Sequence, residues 1–361
     1  MTEFEKGLRQ LIALEGPLTV ERYMGLCLGH YYATRDPLGA DGDFTTAPEI
    51  SQMFGELVGL WLAEVWTAMD RPATVRVVEI GPGRGTLMAD ALRAARILPG
   101  FQAALDVHLV ETSPALRERQ RAVLAGSGLT AQWHDDLESL PDGPVLLVAN
   151  EFFDALPVRQ YVATDRGWCE RLVGIEGAAL TFGLRAEPES LPQRPRRPGD
   201  VLEVPLASIA IARALGRRIA RDGGAALLID YGYWGPALGD TLQALRRHEY
   251  VDPLAEPGEA DLTTHVDFHH LARAAAAEGA RAHGLATQGD FLHALGISAR
   301  AEALKRRASP PQAESIERAL ARLTNCGETG MGSLFKVLAL SHPGLESLPG
   351  LPVGTPRPAE S

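Results

Sequence analysis

The chain has 361 residues, of which 45% are apolar and 22% charged, a balance that suits one enlarged α/β domain or about two structural units and excludes wholesale disorder. Lys and Arg number 35 against 46 Asp and Glu, a net charge of -11, which argues against general binding to nucleic acid. Cys27, Cys169 and Cys326 stand far apart with no CxxC spacing, so neither a disulfide framework nor a zinc knuckle is supported and a reducing compartment fits.

The first residues, MTEFEKGLRQ, are acidic and amphipathic, unlike a signal peptide or an Arg-rich presequence. No apolar run approaches the ~18 residues of a membrane span. A cytoplasmic protein of bacterial type, not inserted in a membrane, is the expectation. Glu3 to Leu14 and Thr19 to Leu28 read as helices. Ile50, Met53, Phe54, Leu57, Val58, Trp61, Val65 and Met69 recur at helical spacing, so a long core helix is predicted from near Ala47. Thr46 and Glu49 have the form of a capping box, which makes Glu49 a structural acid. Residues 1–70 therefore read as an N-terminal helical lobe.

From Val75 the runs VRVVEI, DVHLVE, LTAQW, VLLVAN and ALLID alternate with helical patterns, as buried parallel strands joined by crossovers do. The predicted α/β domain spans 71–341, with an insertion at about 157–200 and a helical segment at about 290–325. Within the insertion, Arg159 to Thr164, Trp168 to Ile175 and Ala179 to Leu184 read as an antiparallel ribbon, followed by a proline-bearing loop from Arg185 to Asp200. Arg281 to Gln288 and Ser333 to Ala339 read as the last two strands, and 342–361 as a flexible Pro/Gly-rich tail.

The strongest local signal is VVEIGPGRGTLMADAL, a strand ending at Ile80, then Gly81, Pro82, Gly83 and Gly85, then a helix from near Thr86. Glycines at such a turn let a ligand approach backbone N–H groups at a helix start. The dinucleotide fingerprint is G-x-G-x-x-G, whereas this chain has Glu79 followed by Gly81, Gly83 and Gly85. The E-x-G-x-G-x-G form argues against NAD and resembles motif I of S-adenosylmethionine-dependent methyltransferases. Glu111 ends the second strand, 26 residues after Gly85, where an acid can accept hydrogen bonds from a cofactor ribose. Asp135 and Asp136, after the third strand, suit either an adenine amino group or a helix cap. Gly42, Asp43, Thr45 and Thr46 precede a helix start and suit either the cofactor carboxylate or a plain connection.

More of the chain then falls into place. The segments GDFTTAPEISQMFGELVGLW, EIGPGRGTLMAD, NEFFDALPVRQ, DYGY, ADLTTHVDF, QGDFL and MGSLFKVL resemble the MidA-like methyltransferases over about residues 3 to 340. The resemblance implies a class I methyltransferase, Rossmann-like fold with an N-terminal helical lobe. It also implies S-adenosyl-L-methionine as donor, a protein arginine as acceptor and a link to assembly of respiratory complex I. One departure is CLGHYYATRD, which runs directly from Cys27 to Tyr31 and Tyr32, where the family has a slightly longer loop with a Pro and a Gly.

Ligands of open α/β sheets lie outside the carboxyl ends of the strands, where NEFFDALP and DYGY stand. A guanidinium acceptor stays protonated to a pKa above ~12 and must approach a positive sulfonium. Carboxylates would orient it, offset the repulsion and take its proton. Glu151 and Asp154 fit that requirement, Asp154 also suiting a cap of the next turn; Asn150 suits the substrate or the methionine part of the cofactor, and Phe152 and Phe153 supply apolar walls or core. Tyr231 and Tyr233 suit either aromatic faces offered to a cation or plain core positions. His265 and His269 have i, i+4 spacing, but Asp267 reads as an N-cap between them and no third ligand is evident. No metal is expected, and His265 and Asp267 remain as substrate contacts. Methyl transfer to a small-molecule oxygen or nitrogen, or a non-catalytic assembly chaperone, would use the same cofactor site.

Overall fold

The computed structural model describes residues 1–34, 45–191, 196–327 and 330–356. The five Val/Leu/Ile-rich runs are strands: β1 (Val75–Ile80), β2 (Leu105–Val110), β3 (Ala131–His134), β4 (Val145–Asn150) and β5 (Gly224–Tyr233). Three more complete the sheet, β6 (Arg281–Thr287), β7 (Phe335–Ser341) and the two-residue strand Val266–Asp267, which pairs in parallel with the end of β5; the main path runs β6-β7-β5-β4-β1-β2-β3. β1 to β5 pair in parallel, and β7 lies antiparallel between β5 and β6. The mostly parallel α/β sheet expected from the sequence is present. Every residue of β4 is buried, which is why its run carries no alternation: both faces of the sheet are covered.

Before the sheet come α1 (Glu3–Glu15), α2 (Val20–Thr34), α3 (Ala47–Ile50) and α4 (Gln52–Ala68). The long helix predicted from near Ala47 is two helices. Ser51 between them is extended, at φ -162° and ψ 138°, and its side chain accepts the N–H of Met53, so it caps a new helix. The expected capping box is not formed: Thr46 makes no side-chain cap bond, and the Glu49 carboxylate is taken by the Thr86 hydroxyl at 2.5 Å. The CLGHYYATRD stretch is helical through Thr34, so no loop intervenes before Tyr31 and Tyr32.

The first 70 residues divide their packing. Leu8, Ile12, Tyr23 and Met24 of α1 and α2 share a core with Val173 and Leu180 of the inserted ribbon, and Leu18–Thr19 pairs with the ribbon strand Gly167–Glu176. Met53, Phe54, Leu57, Val58 and Trp61 of α4 instead pack with Leu87 and Leu92 of α5 (Thr86–Ala95) against the central sheet. The ribbon gains a strand, Val201–Val204, beyond its predicted limit. A second small sheet of Gln243–Arg246, Glu249–Val251 and Asp261–Thr263 was not legible, because strands of three or four residues show no period.

The tail expected to be flexible is anchored through residue 351. Leu345 and Leu348 are buried in the main core, Leu351 packs against it, and Trp61 Nε1 donates to the Pro349 carbonyl at 3.1 Å. Leucines spaced between the prolines supply apolar surface that the composition alone conceals. Residues 357–361 lie outside the described part.

Candidate active site

A cavity of about 610 Å³ opens at the carboxyl ends of β1, β2 and β4. Its floor is the turn after β1, where Gly81, Gly83 and Gly85 all have positive φ, at 63°, 51° and 86°. A Cβ added at Gly81 would lie 2.9 Å from Phe152 Cδ2, so the close approach of the two turns requires glycine there. Gly85 is the N-cap of α5, whose first N–H groups point outward at this turn. Glu79, Pro82, Arg84, Thr86 and Leu87 also line the cavity.

Beside the turn, Glu111 is held in place by two donors. Its Oε1 accepts the Ser113 N–H at 2.8 Å and its Oε2 accepts from Gln120 Nε2 at 3.3 Å. Burial raises its pKa while the Ser113 N–H, Gln120 and the Arg117 charge oppose the rise. Gln120, which sequence reasoning missed, is fully buried, donates to the Gly83 carbonyl at 2.7 Å and accepts from Trp133 Nε1 at 2.8 Å. Glutamine on a helix carries no pattern signal, and only the fold reveals that it ties the glycine turn to the acid.

The turn after β4 forms the opposite wall. Glu151 sits at φ 52°, unusual for a residue with a side chain. Its Oε1 accepts from the Ala47 N–H and from Asn150 Nδ2, each at 3.1 Å. Burial pushes its carboxyl up to about 8, and the nearby Asp154 charge adds to the rise. Asn150, Glu151 and Phe152 line the cavity. Phe153 does not; it is buried in the second core with Ile80 and Leu147. Asp154 is turned behind the wall and hydrogen-bonds the Tyr231 side chain; burial lifts its carboxyl to about 6.

The residue that shapes this turn is Asp230, in DYGY. Its Oδ2 accepts the backbone N–H groups of Phe152, Phe153 and Asp154 at 3.2, 2.9 and 3.2 Å. The sequence placed DYGY at the right strand end but pointed to its tyrosines. Tyr231 lies behind the cavity, packed edge-on against His265 and Phe335.

Other candidates fall away from the cavity. Asp135 is exposed and pairs with Arg117 at 2.6 Å, and Asp136 accepts the Ser139 N–H at 2.8 Å in a turn that does not go on to a helix, so the expected helix cap is not formed either. Asp267 caps the helix Phe268–Ala276 by accepting from His269 and His270 N–H groups, and also bonds the His270 ring. His265 has its pKa lowered by burial and by the Lys336 charge. Neither His265 nor Asp267 lines the cavity. Thr46 lines it, Thr45 does not, and Gly42 and Asp43 lie outside the described residues. Among the described residues no group of three His, Cys, Asp or Glu could hold a metal ion.

A sulfonium nucleoside fits what is present. Glu79 Oε2 and Asn150 Oδ1, both acceptors on lining residues, are buried without a hydrogen-bond partner, and burial lifts the Glu79 carboxyl to about 8. Unpartnered acceptors beside a glycine turn favour a cationic ligand with N–H and O–H donors.

Comparison with known proteins agrees. Residues 57–286 match the family described as "Putative S-adenosyl-L-methionine-dependent methyltransferase". A mitochondrial protein arginine methyltransferase homologue of Drosophila melanogaster is 38% identical over 373 residues, covering 93% of this chain and 84% of its own. The mitochondrial protein arginine methyltransferase of Mus musculus is 39% identical over 346 residues, covering 87% and 79%. A Burkholderia thailandensis protein, crystallised with S-adenosyl-homocysteine, superposes with a TM-score of 0.83 at 32% identity over 96% of this chain and 93% of that one.

Proposed function

As the chain belongs to this family of S-adenosyl-L-methionine-dependent methyltransferases, we propose that it methylates an arginine side chain of a partner protein. The observation that carries the proposal is the half-buried Glu151 at the cavity wall, hydrogen-bonded by Asn150 and Ala47 and raised to about 8. A neutral hydroxyl or amine could also pass its proton to this acid, but would gain little from the acid's negative charge. A guanidinium gains more, because its charge must be balanced beside a sulfonium.

Bound S-adenosylmethionine supplies the methyl: the acceptor nitrogen bonds it through its lone pair, the S–CH3 pair stays on sulfur as a neutral thioether, and the nitrogen sheds one proton. Glu151 orients the guanidinium and takes that proton. Its elevated pKa makes it a competent acceptor near neutral pH, and the two cations bring it into the ionised form. Glu111 receives the ribose hydroxyls, Gly81 to Gly85 and Glu79 hold the methionine and nucleoside, Asn150 fixes the methionine end, and Asp154 acts from behind as a second negative charge. Alignment of nitrogen, methyl and sulfur is worth ~7 to 11 kcal/mol, and the rigid turns on β1 and β4 provide it.

The acceptor proposed is a subunit of respiratory complex I or a similar protein, met in the cytoplasm. No helix among the described residues is long and apolar enough to cross a membrane. Incubation with methyl-labelled donor, candidate subunits and a metabolite extract tests the reading: methyl-arginine in protein is the expected product, and label transferred from the donor to a metabolite with none in protein would overturn it.

A further inference from the structure

Tyr32, in the last turns of α2, is one of the residues lining the cavity, and its hydroxyl donates to Oδ1 of the buried Asp261 at 3.0 Å. Tyr31 braces it edge-on, with ring centroids 5.2 Å apart at 81°. The ring is therefore fixed at both ends.

Its surroundings belong to the acceptor side. Asp261 starts the segment that also reaches the other residues behind the β4 turn: Thr264 N–H donates to the Asp154 carbonyl at 3.0 Å, and the Tyr231 side chain hydrogen-bonds both Thr263 and Asp154. Burial above all, and then the Asp261 and Asp154 charges, push the Tyr32 phenol far above its usual range. The ring thus stays neutral and lies in a negative field, conditions that strengthen attraction of a cation to an aromatic face. The nucleoside side, built on the turns after β1 and β2, shares none of these contacts.

We propose that Tyr32, anchored by Asp261, is the wall against which the acceptor guanidinium stacks, and that it selects a cationic acceptor over a neutral one. The inference rests on the arginine reading above. It assigns a specificity role to α2 and to the segment Asp261–Thr264, neither of which belongs to the central sheet.

The test uses the full chain saturated with S-adenosyl-homocysteine and titrated calorimetrically with a Gly-Arg-Gly tripeptide and with its neutral citrulline counterpart. Wild type should prefer the arginine peptide. Tyr32→Leu should weaken that peptide about tenfold while leaving the citrulline peptide and S-adenosyl-homocysteine within about twofold, and Tyr32→Phe, which keeps the ring, should lose less than about threefold. Unchanged arginine binding in Tyr32→Leu overturns the inference and leaves the arginine reading standing. A tenfold loss of S-adenosyl-homocysteine moves Tyr32 to the donor side and also overturns it. A wild type that binds neither peptide, or both equally, overturns the inference together with the arginine reading.

Discussion

Asp230 Oδ2 lies 2.9 Å from the backbone nitrogen of Phe153, and the same oxygen takes the N–H groups on either side. One carboxylate from β5 thus organises the turn that presents Glu151. Asp230→Ala would leave three buried donors without a partner, at about 1–3 kcal/mol for each one that water cannot reach. Thermal denaturation should show a loss of about 2–4 kcal/mol. Burial and the neighbouring Asp154 and Glu151 charges favour the neutral form of Asp230, so Asp230→Asn, which keeps an accepting oxygen, should retain most stability and lose far less methyl transfer than Asp230→Ala; equal losses in kcat for the two variants would show that the acceptor geometry is not what matters.

Gly81→Ala tests the approach of the two turns. The new Cβ would meet Phe152 Cδ2 at 2.9 Å in a backbone region at φ 63° that alanine avoids. Donor affinity measured by calorimetry should fall more than about tenfold, whereas the melting temperature should drop by only a few degrees.

Glu79 and Glu151, raised to about 8, and Asp154, raised to about 6, give stability a definite pH dependence. Each folded pKa exceeds the unfolded value near about 4, so each contribution is fully present below about pH 4 and is lost as pH rises through the folded value. Melting curves of the ligand-free chain between about pH 5 and 9 should fall more steeply for wild type than for Glu151→Gln. The cationic donor should stabilise the protein increasingly over the neutral S-adenosyl-homocysteine across the same interval; parallel curves for both ligands would remove Glu79 and Glu151 from the sulfonium's surroundings.

Gln120→Ala should weaken S-adenosyl-homocysteine by about tenfold through loss of the bridge between Gly83 and Glu111, two hydrogen bonds of about 0.5–1.5 kcal/mol each. Asp135→Ala, by contrast, removes an exposed ion pair and should leave affinity unchanged. Equal losses in the two variants would return Asp135 to the nucleoside.

Truncation after Ser341 probes the anchored tail. Removing buried Leu345 and Leu348 should lower stability by about 4 kcal/mol or more, read by denaturant unfolding. An unaffected midpoint would mean that the tail does not contribute to the core.

What the sequence made legible were features with a repeating physical signature. Buried parallel strands read as unbroken apolar runs, and the glycines of the β1 turn announced a close backbone approach. Glu111 and Glu151 followed from their place at strand ends. The misreadings have two causes: Ser51 is a local cap that interrupts an otherwise helical period, whereas Gln120, Asp230 and Asp261 act through hydrogen bonds to partners far along the chain, and such pairings leave no periodic trace. Glu49 looked like a capping acid because Thr46 stands three residues before it, but Ser51 caps the following helix and Thr86 claims the carboxylate. His265 and Asp267 drew attention by residue type, whereas the contacts in that motif come from Asp261, Thr263 and Thr264.

The four residues of α3 touch both halves of the chemistry: Ala47 through its N–H to Glu151, and Glu49 through its carboxylate to Thr86 beside the glycine turn. A displacement of either strand-end turn is therefore transmitted to the other across one rigid helical turn. On the proposed reading, the seat of the donor and the setting of the proton acceptor thereby share one short structural link.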